Sequence, residues 1–142
     1  MNVEPLSAAD FDTAAFRRLL FLASDYDDTR IQRTVDDELP TMAVIGTRDG
    51  ERVTGFAAYL PHEETVVLEY IATAEDLRGG GVGRTLVEAI RQRHPGAAVL
   101  AETDDDAVDF YRAIGFLVRD GEPDPRWPGR RRYECLLQPA VS

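Results

Sequence analysis

Two adjacent stretches decide the fold: Thr65-Val66-Val67-Leu68-Glu69-Tyr70-Ile71-Ala72-Thr73, and shortly after it Arg78-Gly79-Gly80-Gly81-Val82-Gly83-Arg84. The first is dense in aliphatic and β-branched residues and predicts a strand. After the second, Val82, Leu86, Ala89 and Ile90 recur at helical spacing and predict an amphipathic helix ended by Pro95-Gly96. The first N–H groups of a helix have no partner within it and carry partial positive charge. Glycine lets an anion approach them with no Cβ in the way. Strand, glycine turn and helix therefore predict a phosphate site on the amides of Gly79, Gly80, Gly81, Val82, Gly83 and Arg84. Arg78 and Arg84 flank the turn and can add charge-assisted bonds.

Working outward, residues 2–5 predict a short edge strand. Ser7 with Asp10 reads as a capping box opening a helix that carries Phe11, Ala15, Leu19 and Leu22 on one face. Residues 25–28 break that pattern. Thr29 with Gln32 reads as a second capping box, followed by Ile31, Val35 and Leu39, with Pro40 stopping the helix. Residues 42–45 and 53–60 predict a hairpin about Asp49-Gly50. Gly55, inside the second of these strands, predicts a bulge or a close backbone approach.

After the glycine turn and its helix, residues 97–103 read as a buried strand. Asp104, Asp105 and Asp106 suit the start of a helix whose apolar face is Ala107, Phe110, Tyr111 and Ile114. Gly115 reads as its C-terminal cap. Residues 116–118 and 133–137 read as closing strands, with a proline- and glycine-rich loop at 121–129. The class is mixed α/β, with a mostly antiparallel central sheet and flanking helices. One domain is expected over residues 1–142.

The net charge of −10 repels phosphate backbones, so nucleic-acid binding is not expected. That acidity either attracts cationic partners such as amines or serves solubility alone. No apolar run reaches the roughly 20 residues that cross a membrane. The N-terminus lacks the pattern of a signal peptide. One cysteine, Cys135, forms no internal disulfide and fits a reducing, cytoplasmic setting. His62, His94 and Cys135 show no metal-ligand spacing, so no metal is expected.

Two familiar phosphate motifs fail at the turn. A P-loop needs glycine where Arg78 stands and lysine where Arg84 stands. A dinucleotide fingerprint beginning at Gly79 needs a small residue at Arg84. The pattern R-x-x-G-x-G fits, as Arg78, Gly81 and Gly83. It resembles the acyl-CoA motif of the GNAT family, the GCN5-related N-acetyltransferases. Ala107-Val108-Asp109-Phe110-Tyr111-Arg112-Ala113-Ile114-Gly115-Phe116 is similar to that family's A-x-x-(F/L)-Y-x-x-x-G-F helix.

The resemblance implies a GNAT-like fold with a splayed strand pair over nearly the whole chain. It implies that Ile71, Ala72 and Thr73 pair through their backbone with the pantetheine arm of acetyl-CoA, the co-substrate. Thr73 departs from the aliphatic residue usual there. A backbone amide in this segment would polarise the thioester carbonyl, and the diphosphate would lie on residues 79–84. Tyr111 matches the tyrosine that protonates the leaving thiolate. Asp104 stands where the family often has a pantetheine-contacting asparagine. An aspartate accepts hydrogen bonds there but donates no amide proton.

Glu69 and Glu102 are both candidates for the general base, and a water chain could serve instead. Alternation puts Glu69 on the face of Ile71 and Thr73. Tyr26, Asp27 and Asp28 border the acceptor site in such proteins, although helix capping also explains the acids. Trp127 with Arg126, Arg130, Arg131 and Arg132 is either a solvated loop or a lip of the site.

The activity implied is transfer of an acetyl group from acetyl-CoA to an amine acceptor by direct attack, without a covalent enzyme intermediate. The alternative is a non-catalytic acyl-CoA-binding module. The acceptor is open: a small amine, an amino acid, an antibiotic, a polyamine or a protein N-terminus. The assembly is also open, with the homodimer the commonest form.

Overall fold

The computed structural model describes residues 1–140. Its strands are β1 (Glu4–Pro5), β2 (Ala43–Asp49), β3 (Arg52–Pro61), β4 (Thr65–Thr73), β5 (Ala98–Thr103), β6 (Leu117–Asp120) and β7 (Tyr133–Leu137). Its α-helices are α1 (Ala8–Phe11), α2 (Ala14–Ser24), α3 (Asp28–Arg33), α4 (Val82–Arg93) and α5 (Val108–Ala113). The strands form one seven-stranded sheet in the order β1-β2-β3-β4-β5-β7-β6. Every neighbouring pair is antiparallel except β4 and β5, which α4 connects as a crossover.

Local chemistry explains most boundaries. The Ser7–Asp10 capping box forms, but the helix it opens ends at Phe11. Thr13 then caps a new helix by accepting the N–H of Phe16, so the expected single helix is two. The second expected capping box is replaced by Asp27, whose carboxylate accepts the N–H of Arg30 at 2.8 Å. Carboxylate is the stronger acceptor at a helix start, and it sets α3 two residues earlier than Thr29 would. After α3 the chain winds through a π-turn over Thr34–Glu38 and a 3₁₀ turn over Leu39–Thr41 that contains Pro40. The hairpin turn centres on Gly50 and Glu51, with Gly50 at φ 63. Glycine at the first central position matches a II′ turn.

Two apolar cores sandwich the sheet. On one face α2 and α3 bring Phe16, Leu19, Leu20 and Ile31 onto Val44, Phe56, Ala58 and Tyr70. Phe16 and Phe56 are fully buried with ring centroids 4.7 Å apart. Truncating either ring to alanine costs about 3–5 kcal/mol. On the other face α4 and α5 bring Leu86, Val87, Ile90 and Tyr111 onto Ala57, Val66, Leu68, Val99 and Cys135. The Cys135 thiol is buried, which pushes its pKa up to about 11, so it is a packing residue rather than a nucleophile.

Gly55 lies beside the expected bulge, but what comes close to it is a side chain rather than backbone. The β2–β3 register shifts between Thr47 and Arg48, beside it. A Cβ on Gly55 would also stand 2.6 Å from Val82 Cγ1, so a side chain there would push away the first turn of α4.

Candidate active site

The parallel pairing of β4 with β5 runs only from Thr65↔Ala98 to Leu68↔Ala101. Both strands continue past that point, β4 to Thr73 and β5 to Thr103, without pairing. β4 stays bonded to β3 along this length, while β5 stays bonded to β7. The sheet therefore opens between its two middle strands, and residues 69–73 present a free backbone edge. A register shift in the β3–β4 ladder falls where the sheet opens: Ala58 faces Tyr70 and Tyr59 faces Leu68, which leaves Glu69 as the extra residue of a bulge. Bulges bend and twist the strand that carries them. The shift also interrupts the alternation from which the face of Glu69 was read. Glu69, Ile71 and Thr73 nevertheless line one cleft of about 1550 Å³, together with Ala72, Asp104 and Tyr111.

The glycine turn closes one end of this cleft. Gly79 and Gly81 have φ of 84° and 85°, and nothing lies within 4 Å of where their Cβ atoms would be. Gly81 is the N-cap of α4. Among the described residues the N–H groups of Gly79, Gly81, Val82, Gly83 and Arg84 have no backbone acceptor. Gly80 is different, because its N–H bonds the Leu77 carbonyl at 3.3 Å. Gly83 is small for another reason: its Cβ would stand 2.7 Å from Cε1 of Phe110. The two sequence motifs thus touch, and the glycine that follows Val82 makes room for the aromatic ring that precedes Tyr111. Arg78 and Arg84 are exposed and line the cleft, with Arg84 Nη2 reaching the Ala113 carbonyl at 3.4 Å.

Tyr111 is 5% exposed, and its ring lies edge-on to Phe110 and Phe116 at 5.1 Å each. It is at once a core residue and a cleft residue. Burial pushes its phenol well above the ordinary tyrosine value, the Cys135 side adds to this, and the nearby Arg132 opposes it. The hydroxyl therefore stays protonated throughout the physiological range, and among the described residues no hydrogen bond occupies it.

Glu69 is half-buried, with Arg126 Nη1 at 3.8 Å from its carboxylate. Desolvation raises its pKa; Arg126 pulls it back and the charge of Glu102 raises it further. Glu102 is exposed on β5 and also lines the cleft. Asp104 is engaged on both oxygens: one accepts the Asp106 N–H at 3.0 Å, the other pairs with Arg130 Nη1 at 3.1 Å.

The loop over residues 121–132 is mostly exposed, yet Trp127, Arg126 and Arg130 tie it to the cleft. Trp127 donates from Nε1 to the Ser24 carbonyl at 2.6 Å and stacks on Tyr26 at 5.8 Å. Arg130 bridges Asp25 at the end of α2 to Asp104 at the end of β5. Arg126 is held by Asp124 at 2.8 Å. Tyr26 also bonds Tyr70, which donates to Glu38 at 2.9 Å. Sequence reasoning missed that buried chain, because Tyr70 and Glu38 have no local signature that joins them.

A sequence profile described as Acetyltransferase (GNAT) domain matches residues 41–118. The chain belongs to the GNAT acetyltransferase family and is an acyltransferase of that family.

A sequence search of curated proteins finds no match. Solved structures resemble it along nearly their full length. The ribosomal-protein-S18-alanine N-acetyltransferase of Escherichia coli is 18% identical with a TM-score of 0.71, covering 99% of this chain and 94% of that one. Tetrahymena GCN5 is 14% identical with a TM-score of 0.71, covering 99% of both chains. A GNAT family acetyltransferase from Elizabethkingia anophelis with acetyl-CoA bound is 20% identical with a TM-score of 0.67, covering 96% of this chain and 95% of that one. At such identities the likeness is one of fold. Among the described residues no helix is long and apolar enough to cross a membrane, and no cluster of side chains could hold a metal ion.

Proposed function

We propose that this protein transfers an acetyl group from acetyl-CoA to an amine by direct attack inside the splayed cleft. The observation that carries this reading is the convergence of a protonated, unoccupied phenol and a partly desolvated carboxylate on one cleft that ends in free amides. The cleft suits the co-substrate. The amides of Gly79, Gly81, Val82, Gly83 and Arg84 point at no acceptor of their own, and open space lies over Gly79 and Gly81. Arg78 and Arg84 would flank the diphosphate, and the free edge of Ile71, Ala72 and Thr73 would receive the pantetheine amides. Acetyl-CoA supplies the activated acyl group when bound there.

The chain's own residues would do the rest. An amine arrives as an ammonium ion, and Glu69 takes a proton from it, leaving a nucleophilic nitrogen. Its raised pKa makes it a better base than an exposed glutamate. A backbone N–H of residues 71–73 would donate to the carbonyl oxygen as charge develops. As the C–S bond breaks, Tyr111 would give its proton to the departing sulfur. The tyrosinate then recovers the second proton lost by the acylated nitrogen, so the net reaction releases one proton. Burial raises the phenol and so weakens it as an acid, and the same desolvation would make a departing thiolate more basic, which offsets part of that loss.

In Tyr111→Phe, kcat falls by about 10²–10⁴-fold, while CoA at 100 times its Kd still stabilises the fold by about 2.7 kcal/mol. Thiol release with an amine panel and thermal unfolding measure the two effects. Full turnover in that variant would remove the phenol from the reaction. Turnover by the native protein with any amine excludes a binding-only module.

A further inference from the structure

Arg132 is the only buried arginine among the described residues, at 7% exposure. Its Nε is fully buried with no hydrogen-bond partner, and no ion pair reaches its guanidinium among those residues. Arg30 and Arg91 also have a buried Nε without a partner, but their guanidiniums pair with Glu38 and Glu88, and neither lines the cleft. The acids near Arg132 are committed elsewhere: Asp124 to Arg126, Asp104 to Arg130, and Glu69 faces Arg126. Asp124 feels the charge of Arg132 but does not pair with it directly, and a buried cation without a direct ion-pair partner is costly, a cost that a ligand carboxylate would relieve.

The guanidinium is also held in place. Its carbon lies 4.6 Å from the centroid of Trp127, and that indole is fixed by Ser24 and Tyr26. A planar fork laid against an aromatic ring is prepared for a planar anion and gives bidentate recognition. Arg132 lines the same cleft as Tyr111 and Glu69, at the head of β7. The diphosphate end of the cleft lies at the glycine turn, where Arg78 and Arg84 already stand. The cationic partner suited to Glu69 and Glu102 and the anionic partner suited to Arg132 therefore belong at the acceptor end.

From this we infer that the acceptor is a small amino acid, whose carboxylate is held by Arg132 while its amine is presented to Glu69. The inference rests on the acetyltransfer reading for the identity of the acceptor end. A peptide N-terminus has no carboxylate beside its amine, and a simple polyamine has none at all.

The test is binding, read separately from turnover. In the presence of saturating CoA, each common L-amino acid is titrated against its own carboxamide, and the affinity is read from thermal shift. At least one acid should bind about tenfold or more tightly than its carboxamide, the contribution of a charge-assisted pair. In Arg132→Gln that preference should collapse towards one, while stabilisation by CoA alone persists. Arg132→Lys, which keeps the charge but not the fork, should retain part of it.

Equal binding of acid and carboxamide, as a peptide N-terminus would require, overturns the inference in the native protein alone. So does binding of neither, or a loss of CoA binding in Arg132→Gln. Thiol release with the bound acid reports on acetyl transfer itself: tight, Arg132-dependent binding without turnover would sink the transferase reading and leave the amino-acid site standing.

Discussion

The two ends of the cleft are built from different materials. At the glycine turn the groups left unpaired are main-chain amides, and side chains are largely absent. Gly79 and Gly81 hold left-handed φ values, and Gly83 vacates space for Phe110. At the other end the loop over residues 121–132 works through side chains that grip distant elements. Trp127 reaches Ser24, Arg130 spans Asp25 and Asp104, and Arg126 faces Glu69. On the proposed reading, a turn of the first kind would serve one ligand feature, a diphosphate. A lip of the second kind can be rewritten residue by residue, and would then set specificity for the acceptor.

The largest expected effect tests the side-chain end. Glu69→Gln should lower kcat/KM by about 10²–10⁴-fold with CoA affinity unchanged, because the loss is confined to the acceptor amine. The native profile should lose rate on acidification at a pH above that of an ordinary exposed glutamate, since burial raises this carboxyl. The acidic limb should vanish in the variant. Arg126→Gln should move the limb to still higher pH, because Arg126 opposes the rise.

Stability runs the other way. A carboxyl whose folded pKa is raised above its unfolded value binds more protons when folded, so its contribution to stability declines as pH rises through that window. At neutral pH the Gln variant should therefore melt no lower than the native protein. A variant that lost activity and stability together would show Glu69 to be a structural partner of Arg126.

The next effect tests the backbone end. Gly83→Ala places a methyl 2.7 Å from the Phe110 ring, and overpacking of this kind costs about 1–3 kcal/mol. CoA should bind more weakly, because the first turn of α4 carries the free amides. Phe110→Leu in the same chain should restore most of both losses. Failure of that rescue would mean the glycine is there for the ligand and not for the ring.

This difference also explains what could be read from the sequence. The turn, its strand and its helix are local features, and β4 falls exactly over Thr65–Thr73 as its composition predicts. The two helical patterns before β2 were less legible. The Ser7–Asp10 box forms but Thr13 caps a further helix after it, Asp27 takes the place expected for Thr29, and a π-turn over Thr34–Glu38 has no sequence period of its own. The bulge at Glu69 has no glycine to announce it. Trp127 and Arg130 make their contacts with Ser24, Asp25 and Asp104, far away in the chain, and no spacing rule links those positions.

The smallest expected effect asks how firmly the lip must be held. Trp127→Phe keeps a ring to stack on Tyr26 but removes the donor to the Ser24 carbonyl, a bond of 2.6 Å. One neutral hydrogen bond contributes about 0.5–1.5 kcal/mol, so Tm should fall by only a few degrees. Ser24 is the buried last residue of α2, so its carbonyl, left without that donor, pushes the loss towards the upper end of the range. The functional signature should be lopsided. KM for the acceptor should rise because Arg126 and Arg132 lean on the indole at 4.5 Å and 4.6 Å, while affinity for CoA at the glycine turn stays the same. Equal weakening of both ligands would mean that the two ends of the cleft are one mechanical unit, and the division between a backbone-built end and a side-chain-built end would fail.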